Sequence, residues 1–309
     1  MAITTSPRSI ISGAIGMVLV GGSVGVSHAL VDAPLFTTQA IRYLAAALIM
    51  MLLARRAGAP LVRPRGSEWL WLAGIAATGL VLFNVAIVRG VAHAEPAVIA
   101  VAVACVPIAL GVIGALLQHR APQPHVVLAA VVVTAGAVLV EGTGRTDAIG
   151  IGWAAVALLC EAAFTLLAVP VLPRHGAWGV SVHSVWLGGA MYAVLAGVGE
   201  GTNAVTELTR TDLAAIGYLT VFVTAAAFLL WYSAVAALGP DRVGLLTGIA
   251  PISAAAAGML LGGTVPGALV WVGIAVVVVG LACGLRVRRP DRVVEPRGPD
   301  PNRHAIAGS

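Results

Sequence analysis

Ten times along its 309 residues this chain runs apolar for about the 20 residues that a helix needs to cross a bilayer. A segment of that kind is stable in lipid only as a helix, because every backbone N–H and C=O must find its partner inside the segment. The segments fall at roughly 10–30, 35–54, 69–88, 97–117, 126–141, 149–169, 180–199, 213–234, 243–261 and 266–285. Length alone would suggest two soluble domains. That prior fails here, since 59% of the residues are hydrophobic and only 10% are charged, where a soluble domain carries about 25% charged residues. The expected fold class is an all-α integral membrane protein of ten transmembrane helices.

The second constraint is an internal duplication. Set 84–107 over 228–251 and the two stretches align without a gap at an offset of 144 residues. Pro96 then meets Pro240 and Pro107 meets Pro251. Carried forward, Gly114 meets Gly258 and Gly136 meets Gly280. Prolines and glycines fix chain geometry, so their coincidence weighs more than matched alanines. The domains follow as a cytoplasmic N-terminus (1–9), a first five-helix repeat (10–141), a second (149–285) and a tail (286–309).

Arginine placement orients the chain, since cytoplasmic loops are enriched in basic residues. All 18 basic residues are Arg. With the N-terminus inside, fourteen lie inside and three (Arg89, Arg145, Arg210) outside, with Arg42 within a segment. Both termini are therefore expected in the cytoplasm. Five crossings per repeat is an odd number, so the second repeat enters from the opposite side and the repeats are inverted, as in alternating-access carriers. The first segment, followed by Ser27-His28-Ala29, also has the outline of a signal peptide; its length and the helix parity favour a transmembrane helix. The tail, rich in Arg and Pro, is expected to be disordered, with its first arginines near anionic headgroups.

Two ionisable residues cannot be placed outside the bilayer, Arg42 and Glu161. A charge there costs at least about 2.5–3.5 kcal/mol and generally faces a cavity or a partner. Arg42 lies about 11 Å below the outer end of its segment and Glu161 about 18 Å, at 1.5 Å per residue, so the two are within reach of each other. One reading is a structural ion pair, or a carboxyl bonded to backbone. The other is a substrate or proton site, since a desolvated carboxyl favours its neutral form and would exchange a proton near neutral pH. Gln39 shares the face of Arg42 at i, i+3. Asn84 and His28 join the candidate path, although polar glue between helices and an interfacial position are their plainer readings. So do Trp231 and Tyr232, otherwise read as interfacial anchors. His183 reads as interfacial or hydrogen-bonded, and Trp69, Trp71 and Trp178 as anchors. Glu141, at a segment end, is expected to snorkel out. Pro107 and Pro251 lie inside segments and are expected to kink them, while Pro170 and Pro173 are read as closing the sixth.

Several functions find no support. The arginines sit in loops and the tail rather than on a face interleaved with aromatics, so no nucleic-acid partner is expected. Cys105, Cys160 and Cys283 make no CxxC pair and read as small buried hydrophobes. His119 and His125 bracket a polar loop rather than a metal site. No phosphate loop or GxSxG motif occurs, and no cofactor is expected. The loop 199–212 offers Glu200, Glu207 and Asp212 to an enzyme acting on lipid-linked substrates, with no His or Lys beside them.

These residues also carry a resemblance. Gly22-Ser23, the run 39–46 (QAIRYLAA), the junction ending at Pro107, the stretch from Leu230-Trp231-Tyr232-Ser233-Ala234 to Pro251, and Leu159-Cys160-Glu161-Ala162 together resemble the drug/metabolite transporter superfamily, EamA type. The resemblance spans about Gly13 to Gly284. It implies a plasma-membrane carrier, often an exporter of metabolites or amino acids, with a cavity between its halves. The sequence reading is thus a secondary transporter in the lipid bilayer of the plasma membrane, monomer or homodimer, that exports a small metabolite or amino-acid-like solute by alternating access, with proton exchange resting on Glu161. A non-transporting scaffold or flippase-like subunit is the alternative.

Overall fold

A computed structural model describes residues 7–260 and 266–285, apart from the side chains of His28 and Thr202. The tail and the Gly262-Gly263 pair lie outside the described residues. Among the described residues, nine helices are long and apolar enough to cross a membrane. They are α1 (Pro7–Ser27), α2 (Leu35–Arg56), α3 (Glu68–Gly90), α4 (Pro96–Leu117), α5 (Pro124–Glu141), α6 (Ala148–Leu166), α7 (Leu172–Gly199), α8 (Arg210–Leu238) and α9 (Pro240–Leu260). An apolar helix of 10–17 residues follows, α10 (Ala268–Gly284).

Helix ends follow local chemistry. Pro96, Pro124, Pro173 and Pro240 all sit in first turns, where a missing N–H costs nothing. Pro173 therefore opens a short turn at the start of α7 rather than closing α6. Gly176, at φ 60° and ψ −179°, breaks the helix after that turn, so the continuous part of α7 starts close to where the hydrophobic pattern suggests. Thr209 and Asp212 form a reciprocal capping box on α8. The Glu200 carboxylate accepts from the N–H groups of Phe36 and Thr37 at 2.8 Å each, capping α2. Two of the three carboxylates offered to a lipid-directed enzyme are thus spent on helix ends.

The repeats exchange partners. α1 packs on α8 and α9 of the second repeat, and α6 packs on α3 and α4 of the first. α2 pairs with α7, and α5 with α10. Swapping each helix for its equivalent in the other repeat maps this set of contacts onto itself, the pattern of a pseudo-two-fold arrangement. The α5–α10 contact shows why small residues recur. A Cβ on Gly136 would stand 2.7 Å from the Val277 nitrogen, and one on Gly280 3.0 Å from the Val133 nitrogen. Lipid provides little hydrophobic drive between helices, so such backbone approach supplies the contact energy.

Each repeat also departs from α-helix at equivalent places. α3 is π-helical over Ala76–Leu82 and α8 over Leu219–Ala226. α4 breaks at Cys105, just ahead of Pro107. α9 passes through a 3-10 turn, Gly244–Gly248, before the stretch that holds Pro251.

Candidate functional site

Between the repeats lies a cavity of about 440 Å³. Its lining obeys the duplication. Met17 and Glu161, Val20 and Phe164, Phe83 and Ala227, Asn84 and Phe228, Ile87 and Trp231, and Val103 and Thr247 are pairs at the 144-residue offset, and both members of each pair line it. The core of the cavity therefore straddles the pseudo-axis.

Of the candidate residues, Glu161, Arg42, Asn84, Trp231 and Pro251 line the cavity. Arg42 and Glu161 share it without forming the ion pair that their depths allowed. The Arg42 Nε donates to Thr224 Oγ1 at 2.8 Å and its Nη1 to Gln39 Oε1 at 3.3 Å, and its guanidinium carbon stands 5.1 Å from the centre of the Tyr43 ring. Thr224 belongs to the π-helical stretch of α8, and Thr220, one turn before it, donates to the Arg42 carbonyl at 3.4 Å. Glu161 takes no hydrogen bond or ion pair from any of the described residues. Asn84 is held from the other π-helical stretch, its Nδ2 donating to the Leu80 carbonyl at 2.6 Å and to Tyr43 Oη at 3.4 Å. The Tyr192 hydroxyl donates to the same carbonyl at 2.9 Å.

The other candidates do not reach the cavity. Gln39 is buried and serves Arg42. Tyr232 is fully buried and donates to the Phe164 carbonyl at 3.1 Å. Trp231, which does line the cavity, is buried as well, its Nε1 bonded to Thr165 Oγ1 at 3.1 Å, so neither aromatic is an interfacial anchor. Pro107 is packed in the core. His28's side chain lies outside the described residues. His183 is engaged elsewhere: it donates from Nε2 to the Val62 carbonyl at 3.0 Å, leaving Nδ1 to accept from Trp186 Nε1 at 3.2 Å.

The sequence reading placed Glu141 outward; the structure turns it into the cavity. It also missed Phe83, Phe164 and Phe228. Phe228 is the offset partner of Asn84, so projecting Asn84 through the duplication would have found it, and Phe164 lies one turn from Glu161 on the same helix face, so helical spacing would have found that one.

The two ends of the cavity differ. Val24, Val91, Pro96, Ile99, Ala100 and Ala254 line one end. Their offset partners, Ala168, Val235, Pro240, Val243, Gly244 and Leu110, are all buried. At that closed end α4 meets the start of α9. A Cβ on Gly114 would stand 3.0 Å from Pro240 Cγ, and one on Gly244 2.8 Å from Leu110 Cβ. Arg120 donates to the buried Asp241 carboxylate at 3.3 Å across the same junction. At the lined end the equivalent glycine, Gly258, has none of the described atoms within 4 Å of an added Cβ.

Beside the lined end, the α3–α4 and α5–α6 loops are strapped together. Ala94 and Thr146 form an antiparallel bridge. Arg145 donates to Glu95 at 2.8 Å, and His93 lies 3.0 Å from Asp147. The Arg145 guanidinium holds the Glu95 carboxyl below its usual range. The Gly150 N–H, and then His93, do the same for Asp147.

Comparison with known proteins agrees with this architecture. The EamA-like transporter family model matches residues 8–142 and again 148–285. An uncharacterized transporter of Bacillus subtilis (strain 168), YetK, is 25% identical over 254 residues, covering 79% of this chain and 76% of that protein. A crystal structure of a protein of 18% identity superposes with a TM-score of 0.75 over 89% of this chain and 96% of its own, a likeness of fold alone.

Proposed function

We propose that this chain, which belongs to the EamA-like transporter family, is a secondary transporter of ten membrane crossings that exports a small metabolite by alternating access. It sits in the plasma membrane with both termini in the cytoplasm, as the arginine distribution favours. α10 is the tenth crossing, and the two five-helix repeats are inverted. In that frame the lined end of the cavity faces outward and the α4–α9 junction closes the inside. Glu161 is the group on which proton exchange would run.

The observation that carries this reading is the broken symmetry of the cavity. Its core obeys the duplication, while one mouth is lined and the equivalent mouth is packed shut. Inverted repeats have a second state in which those roles are exchanged. Then Val235, Pro240 and Gly244 would line an inner mouth, and Pro96 and Ala100 would close on Ala254 and Gly258. The bodies that move are α3–α4–α6 and α8–α9–α1, each already packed together and, in the first, strapped at the loops.

The test needs no substrate. In a background free of the three native cysteines, Val91→Cys and Val235→Cys are labelled by a membrane-impermeant maleimide, in cells and in inside-out vesicles. Val91→Cys should react from outside and Val235→Cys from the cytoplasmic side, the second more slowly. Reaction of both from one side would refute inverted access. For proton exchange, Glu161→Gln should abolish the pH dependence of solute counterflow in proteoliposomes. Unaltered dependence would end that part.

A further inference from the structure

The cavity is symmetric in position and asymmetric in chemistry. At four offset pairs the first repeat supplies Met17, Val20, Asn84 and Ile87, while the second supplies Glu161, Phe164, Phe228 and Trp231. The second repeat thus lines its side with a carboxylate among three aromatic side chains. Glu161 and Phe164 share a helix face at i, i+3, and the Phe164 and Phe228 rings meet edge-to-face at 5.0 Å.

The charges around the cavity are equally uneven. Arg42 is bonded to Thr224 and Gln39 and lies against Tyr43. Glu161 and Glu141 line the cavity with no hydrogen bond or ion pair from the described residues. A carboxylate away from bulk water is costly unless a cation meets it, and aromatic faces attract cations in the same place. Apart from the two carboxylates, Arg42, Tyr43, Asn84, Trp231 and Thr247, the lining is apolar, which favours an apolar body on that cation.

We propose that the central cavity binds an organic cation, an ammonium group against Glu161 with an aromatic or branched apolar body among Phe164, Phe228 and Trp231. This rests on the carrier reading and adds the chemical class of the cargo. A ligand carboxylate has no role in it.

The test is binding of tritiated 2-phenylethylamine to the purified full-length protein by scintillation proximity. The competitors are 2-phenylethanol, 3-phenylpropionate and phenylalanine, which keep the body and change the charge. At pH 7 the amine is cationic, like a lysine side chain. It should outcompete the alcohol and the anion by about tenfold or more, the scale of a charge-assisted contact. Glu161→Gln should lose about tenfold or more of amine affinity and keep the affinity for phenylethanol, which also shows that the variant is folded. Phe164→Leu should weaken the amine more than the alcohol. The proposal is overturned if 3-phenylpropionate or phenylalanine binds more tightly than the amine, if Glu161→Gln binds the amine as wild type does, or if the amine shows no saturable binding. None of those results touches the carrier reading, because cysteine access at Val91 and Val235 is measured without ligand.

Discussion

Gly114 and Gly258 are offset partners in opposite surroundings, so one substitution made at both should push the protein in opposite directions. At Gly114 an added Cβ meets Pro240 Cγ at 3.0 Å and Pro240 Cβ at 3.2 Å. At Gly258 it meets none of the described atoms within 4 Å. Valine at Gly114 overfills the α4–α9 junction, and overpacking of that kind costs about 1–3 kcal/mol. If the second state exchanges the two ends, the same valine is unopposed there and the whole cost falls on the observed state. A differential of about 1–3 kcal/mol shifts the ratio of states by about 5- to 150-fold. Valine at Gly258 meets none of the described atoms at its Cβ in the observed state and would obstruct the closing of Pro96 and Ala100, so it should shift the ratio the other way.

The readout is the labelling rate of Val235→Cys divided by that of Val91→Cys. Gly114→Val should raise this ratio, and Gly258→Val should lower it, each within that range. A ligand is not needed, since a substitution that touches only one state shifts the balance as a ligand would. A gel-filtration profile and a melting curve identify a variant that has merely lost its fold. Two substitutions that move the ratio in the same direction, or a Gly114→Val protein that melts earlier with its ratio unchanged, would refute the exchange of ends.

Three further outcomes follow from the same geometry. A cysteine pair at Ala94 and Thr146 should form a disulfide without stopping the exchange of access, because an antiparallel bridge brings Cα atoms to about 4.5–5.5 Å and the strap joins parts of one moving body; arrest of Val235→Cys labelling in the oxidised protein would contradict that body's composition. The strap should hold at neutral pH and loosen only in acid. Glu95 and Asp147 have folded pKa values lowered from normal, so their contribution is present above the ordinary carboxylate range near 4 and is lost as pH falls through the lowered values, which hydrogen exchange at residues 93–95 would read; loosening already at pH 6 would contradict it. Tyr232→Phe removes the bond to the Phe164 carbonyl and should cost about 0.5–1.5 kcal/mol of stability, seen as a lower melting temperature with amine binding kept; a loss of binding at unchanged stability would put Tyr232 in the site.

The membrane class and the duplication were legible because both are written in residue types that tolerate little substitution, runs without charge and matched Pro and Gly. The positions of Arg42, Asn84 and Glu161 in one cavity were legible for a related reason, since few polar residues occur inside the spans and lipid excludes them from its side. What they bond to was not. Arg42 was assigned to Glu161 by depth alone, and depth leaves rotation about the helix axis unspecified. Arg42 is instead met by Thr220 and Thr224 from the π-helical stretch of α8, whose sequence, LTVFVTAA, carries no proline or charge to signal a wider turn. Glu141 was misplaced through an assumption about solvent. A carboxylate at a helix end can reach water by bending outward, but it can equally reach an aqueous mouth between helices, and only the packing of α5 on α4, α9 and α10 decides which.

On the carrier reading, the same contrast would let one duplicated scaffold be both mobile and selective. Motion needs the two repeats to remain alike, so that each mouth can adopt the other's packing. Recognition needs them to differ, so that a ligand meets one chemistry on each side. In this chain the likeness resides in the backbone punctuation, at Pro96 and Pro240, Pro107 and Pro251, and Gly114 and Gly258. The difference resides in side chains at the cavity core, at Met17 against Glu161 and Asn84 against Phe228. Substitution of a punctuation residue should therefore change the balance of access with little effect on which ligand binds. Substitution at a core pair should change the ligand with little effect on the balance. Glu161→Gln and Gly114→Val test this separation directly, with amine affinity and the Val235→Cys to Val91→Cys labelling ratio measured on both proteins. A Gly114→Val protein that changes its preference between 2-phenylethylamine and 2-phenylethanol would show that gate and site are not separable in this fold.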